Sequence, residues 1–138
     1  MSVRSMGDVA VPVRVRNVQT DRLLADTVGM ARSRAARTRG LLARSSLGAG
    51  EALWIEPSRG VHTFGMRFPI DIVALNAGGI VVDVASQVKP WRIRLPRAGT
   101  VGVLELPSGC AAASQTRIGH QILFEASDDA QHRANEPD

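Results

Sequence analysis

Apolar and polar positions alternate near the start of the chain, where Val11, Val13 and Val15 are interleaved with Pro12, Arg14 and Arg16. This period of two predicts a strand over Val9 to Val18, and Pro12, which has no amide hydrogen to donate, places it at a sheet edge. Leu23 to Ala25 reads as a second short strand. Asp26 or Thr27 can then cap an Ala- and Arg-rich helix that runs to Gly40 or one turn beyond. Ser45 to Gly50 is a turn, Ala52 to Glu56 a strand containing Trp54, and Pro57 to Gly60 another turn. Ile70 to Leu75 is apolar on both faces and pairs in a hairpin with Ile80 to Ala85 across Asn76-Ala77-Gly78-Gly79, the second strand turning Asp83 outward. Val101 to Leu106 and Gln121 to Glu125 complete the strands. Lys89 to Pro96 reads as a connection stiffened by two prolines, with Trp91 offering a flat apolar face beside two guanidinium groups.

At 138 residues the chain fits one domain, with a core large enough to need neither disulfide nor metal. The expected organisation is a leader over residues 1–8, a single α+β domain over 9–126, and a polar tail from Ser127 to the end. A hydrophobic fraction of 44% and a charged fraction of 22% are ordinary for a soluble globular protein. No apolar run approaches a membrane span, and Arg4 is followed by neither an apolar stretch nor a small-residue cleavage site, so the expected location is the cytoplasm. Cys110 is the one cysteine, which excludes an internal disulfide and a cysteine-built zinc site within one chain, and His62, His120 and His132 follow no metal-ligand spacing. The sequence implies no cofactor.

The net charge of +4 rests mainly on arginine. Guanidinium forks bind phosphate and carboxylate bidentately, so the excess raises anion recognition as a function class. In the helix expected after Asp26, however, Arg32 and Arg39 project together while Arg34, Arg37 and Arg44 project to another side, which gives no single phosphate-tracking stripe. Aromatic residues make up 4% of the chain and there is no Tyr, so nucleic-acid binding is disfavoured.

The densest chemistry lies in His62-Thr63-Phe64-Gly65-Met66-Arg67-Phe68-Pro69-Ile70-Asp71, at the mouth of the doubly apolar strand. Asp71 there would be costly to bury unpaired, so it calls for Arg39, Arg67 or backbone amides as partner. Imidazole is the side chain suited to general-base work at neutral pH, so His62 could act as a base, although a single His in a β connection ordinarily satisfies a local hydrogen bond. Phe64, Met66, Phe68 and Trp54 read as core or pocket lining. Glu105 stands on the opposite strand face from Leu104 and Leu106, to pair with an arginine across the sheet or to face a pocket. Cys110 follows Pro107-Ser108-Gly109, where a short helix N-terminus would lower its pKa.

Five segments together resemble the family called domain of unknown function 192: Arg39-Gly40-Leu41-Leu42, the His62 to Asp71 motif, Pro90-Trp91-Arg92, Leu104-Glu105-Leu106-Pro107-Ser108-Gly109, and Gly119-His120. The resemblance covers about residues 10 to 125. It implies a compact, mainly antiparallel, barrel-like β domain with one principal helix, and no established activity. Where members often carry a Met, an aromatic-Met-Lys-Asn pattern and an Asp, this chain has Leu42, Gly65-Met66-Arg67 and His120.

Three functional readings follow. The favoured one is a binding or accessory module in which Arg39, Arg67 and Arg92, with His62, Phe64, Met66, Asp71, Trp91 and Glu105, hold a small anionic ligand or a peptide carboxylate. The second is a small hydrolase or transferase using Cys110 as nucleophile, His62 as base and Asp71 as orienter. The third is a protein-interaction module using the strand edge near residues 9 to 18.

Overall fold

The computed structural model describes residues 9–11, 13–31, 46–58, 61–95 and 97–126. Its elements run β1 (Val9–Val11), β2 (Val13–Asn17), β3 (Arg22–Ala25), β4 (Thr27–Ala31), β5 (Glu51–Ile55), β6 (Val61–His62), β7 (Ile70–Leu75), β8 (Val81–Val88), β9 (Ile93–Arg94), β10 (Gly102–Pro107), α1 (Cys110–Ala113) and β11 (Ile122–Ala126). Six strands form the main sheet in the order β1-β4-β5-β10-β7-β8, three form a second sheet, β11-β2-β3, and β6 and β9 make a separate ribbon. Every pairing is antiparallel except β4 with β5. The class is α+β, and among the described residues no sheet closes into a barrel.

The β7–β8 hairpin forms where the sequence places it. Asn76 Oδ1 accepts from the amides of Gly78 and Ile80, each at 2.9 Å, which shapes the turn. All six residues of β7 are buried, since both faces of the main sheet are covered. On one face Leu24, Trp54, Val73, Leu75, Leu104, Leu106 and Ile122 join the two sheets. On the other, Leu53, Ile55, Met66, Ile70, Ile72 and Val103 form a second cluster. Gly102 is required here: a Cβ would lie 2.4 Å from Trp54 Cζ2, so the indole crosses β10 at a place open to glycine alone.

Three sequence expectations are corrected. The Val9 to Val18 strand is divided between two sheets, and β2 is hydrogen-bonded on both sides, which confines any free edge in this segment to β1. The helix expected from Asp26 or Thr27 does not start there. The amides of Asp26 and Thr27 donate to the Gly50 carbonyl at 2.8 and 3.1 Å, drawing the chain alongside β5 as strand β4. The rest of that helix assignment, with Arg39, lies outside the described residues, as do the leader and the tail. Finally, Asp83 is buried rather than turned to solvent. A register shift opposite Ala74 and Leu75 breaks the alternation of β8, and Arg94 covers the carboxylate.

Glu105 lies mid-sheet, opposite Leu53 and Ile72 and 3% exposed, and its Oε1 has no hydrogen-bond partner among the described residues. The expected arginine partner is therefore absent from the described residues. Burial pushes its carboxyl from 4.5 to about 8. Between those pH values the folded chain holds a proton that the unfolded chain releases, so this group makes stability fall as pH rises through the window and level off above it. Glu105→Gln is expected to remove that component, a slope approaching about 1.4 kcal/mol per pH unit, as read from the difference between wild-type and variant denaturation midpoints across the window. Parallel pH profiles would contradict it.

Candidate functional site

The buried Thr63 organises the central motif, although its sequence position gives no warning of that role. Its Oγ1 donates to the Lys89 carbonyl at 2.7 Å and accepts from the Arg92 amide at 2.8 Å. Its own amide donates to the Arg92 carbonyl at 2.8 Å, and its carbonyl accepts from Trp91 at 3.0 Å and from Met66 at 3.2 Å. Gly65, at φ 79°, lets the chain turn beneath these bonds so that Met66 enters the core. One small side chain thus joins the segment after β6 to the segment before β9.

The ribbon that results includes part of Lys89 to Pro96, which was expected to be a connection. In it His62 pairs with Ile93, and His62, Phe64, Trp91 and Ile93 are all exposed. Phe64 stacks on Trp91 at 5.8 Å between centroids with planes 26° apart, and His62 lies 5.3 Å from Phe64. Trp91 is 65% exposed and Ile93 61%, so the paired His62 and Ile93 and the stacked Phe64 and Trp91 leave apolar area open to solvent. Trp91 also has φ 64°, a left-handed conformation costly for a bulky side chain. The Thr63 bonds on either side of it hold it there.

Two arginines of the same segments are open to solvent. Arg67 and Arg92 are both exposed, and Arg92 Nη1 donates to the Pro90 and Trp91 carbonyls at 3.3 and 3.4 Å. Arg94 points the other way and forms a bidentate pair with Asp83 at 2.8 and 2.7 Å, with Arg97 3.6 Å from the same carboxylate. The Arg94 hydrogen bonds hold the Asp83 carboxyl below its usual range against the opposing effect of burial. This pair fastens the ribbon to β8.

The other expected site residues lie apart from the ribbon face. Asp71 is fully buried, and its carboxylate takes two backbone donors, Gln87 at 2.7 Å and Ala111 at 2.8 Å. Those amides stand where Arg39 or Arg67 had been considered. Cys110 begins α1 and its thiol donates to the Leu24 carbonyl at 3.2 Å. Burial, reinforced by the nearby Asp71 charge, raises that thiol to about 11, the reverse of the lowering expected at a helix N-terminus. A four-residue helix is too short for its dipole to outweigh desolvation. The thiol lines a cavity of about 450 Å³ with Leu24, Ala25, Asp26 and Gly109, whereas His62 stacks on Phe64 in the ribbon. Asp71 and Cys110 are thus brought together, and His62 is not hydrogen-bonded to either among the described residues.

His120, where relatives often have Asp, accepts at Nδ1 from Asn17 Nδ2 at 3.0 Å and from the Arg117 amide at 3.2 Å. The imidazole fills the acceptor role that a carboxylate would fill there. No group of three or more His, Cys, Asp or Glu able to hold a metal occurs among the described residues. Among those residues, no helix is long and apolar enough to cross a membrane.

Replacing Thr63 by Val keeps the shape and removes both the donor to Lys89 and the acceptor for Arg92. We expect a loss of about 1–3 kcal/mol of stability, together with faster amide hydrogen exchange at Trp91 and Arg92 than in the β7–β8 hairpin. Unchanged exchange at those two amides would show that the clamp does not hold the ribbon.

The fold recurs in solved structures. A protein of unknown function from Novosphingobium aromaticivorans DSM 12444 superposes with a TM-score of 0.71 at 26% identity, over 83% of this chain and 84% of its own. A Sinorhizobium meliloti 1021 protein, whose description suggests a role in transcription regulation, gives a TM-score of 0.74 over 86% of this chain and 95% of its own, but at 18% identity the likeness is one of fold alone. Curated relatives named UPF0127 protein include one from Pyrococcus horikoshii, 36% identical over 64 residues, and one from Thermococcus sibiricus, 30% identical over 69. These matches span 46% and 50% of this chain, and 55% and 44% of the two relatives. The DUF192 family model, described as an uncharacterized ACR, matches residues 15–124, most of the chain and every described strand of the main sheet but β1. The chain belongs to the DUF192 family.

Proposed function

We propose that this protein is a binding module whose contact surface is the outward face of the β6–β9 ribbon, and that it takes a small anionic ligand or peptide carboxylate carrying a flat apolar group. The observation that carries this reading is the exposed Phe64–Trp91 stack: Trp91, 65% open to solvent, is held at a positive φ by hydrogen bonds to the buried Thr63. Strain of that kind, maintained by the surrounding structure, is characteristic of positions that serve recognition. The stacked rings offer area at low entropic cost, and the exposed Arg67 and Arg92, from the same two segments as Phe64 and Trp91, are the guanidinium forks proposed to meet a carboxylate. Asp71, Met66 and Thr63 support the face from beneath without touching a ligand, and the cytoplasm is the proposed setting.

Short peptides ending in an aromatic residue, each with a free and an amidated C-terminus, discriminate this reading in a thermal-shift titration. The free carboxylate form is expected to stabilise the protein and the amidated form to do so at least about tenfold less well. Arg67→Ala should abolish that difference, and Trp91→Ala should weaken both forms, while the circular dichroism of each variant stays that of the parent. Equal effects of the two peptide forms on the parent, or variants that lose the fold and nothing else, would contradict it.

A further inference from the structure

A second concave site lies on another part of the molecule. Beside the edge of β11, a cavity of about 280 Å³ is lined by Met30, Trp54, Leu75, Val101 and Phe124, with Glu56 as its one charged residue. The Trp54 and Phe124 rings stand 5.2 Å apart at 63°, so they form two walls of a corner. Glu56 Oε1 lies 3.4 Å from the indole Nε1, which steadies the carboxylate beside that corner. Although the chain has 17 basic residues, Glu56 forms no ion pair among the described residues, and no Lys, Arg or His lines the cavity.

We propose that this cavity binds an ammonium group bearing apolar substituents, a quaternary or methylated amine. The electron-rich faces of indole and phenyl rings attract a cation, and methyl groups on nitrogen spread its charge while packing against Met30 and Leu75. The carboxylate adds direct attraction that a neutral ligand does not feel. An anion would meet both the ring faces and Glu56 unfavourably, which separates this site from the anion-binding role proposed for the face around Trp91. The size suits a small head group rather than a drug-sized molecule. Gly102 contributes by leaving the indole room to lie across β10, which fixes one wall of the corner.

The full-length chain labelled with ¹⁵N provides the test, with choline as probe and, as control, its neutral carbon isostere, in which carbon replaces the ammonium nitrogen. Trp91→Phe removes the second indole and assigns the Trp54 Nε1–H signal. Choline is expected to shift that signal saturably and to bind at least about tenfold more tightly than the isostere. Glu56→Gln should cut choline affinity by a similar factor and leave the isostere unaffected, and Phe124→Leu, at a partly exposed position, should weaken choline without unfolding the sheet. Equal affinity for choline and its isostere would reduce the cavity to a plain apolar hollow and overturn the proposal. So would a choline shift no larger than that produced by sodium chloride.

Discussion

A carboxylate in a strand covered on both faces is tolerated only when its charge is met by donors that cannot move away, and Asp71 meets that condition with two backbone amides. One amide belongs to Ala111 in α1 and the other to Gln87, whose φ of 53° bends the chain as β8 ends. From Gln87 the chain passes to Lys89, whose carbonyl is gripped by Thr63, and then to Trp91 and Arg92. The position of the exposed indole therefore traces back, bond by bond, to a buried aspartate at the start of β7.

The ribbon itself has little claim to stability. Two strands of two residues bury almost nothing on their outer side, and an isolated pair of this size would not persist in water. It is held from its inner side by Thr63 and by the Arg94–Asp83 pair, and the latter is only part-exposed, so solvent weakens it less than it would a surface pair. Apolar area left in water and anchored by buried polar contacts is the opposite of what hydrophobic burial alone would produce. That arrangement is the structural basis for proposing the face as a recognition surface.

Elements whose local chemistry and tertiary surroundings agree were legible in the sequence. The β7–β8 hairpin follows from an apolar run, the Asn76 to Gly79 turn and a second alternating run, and β10 from Leu104 and Leu106 about Glu105. Strand β4 was not legible, because Asp26 and Thr27 are helix-capping residues that here serve a turn against Gly50. The ribbon strands were hidden by their length, since two residues carry no period, and Thr63 was overlooked as a neutral hydroxyl between a histidine and a phenylalanine. Two distant segments of the motif do meet, His62 and Phe64 from one and Trp91 and Ile93 from the other. Cys110 and Glu105 show the other limit, for the direction of a pKa shift depends on burial that a sequence does not display.

The account rests on Trp91 being fixed as well as exposed. Backbone and indole ¹⁵N relaxation of the unliganded protein measures this directly. Order parameters at Trp91 near those of a rigid backbone, about 0.85, are predicted, whereas values below about 0.6 would show an indole moving freely and would contradict a preformed recognition face.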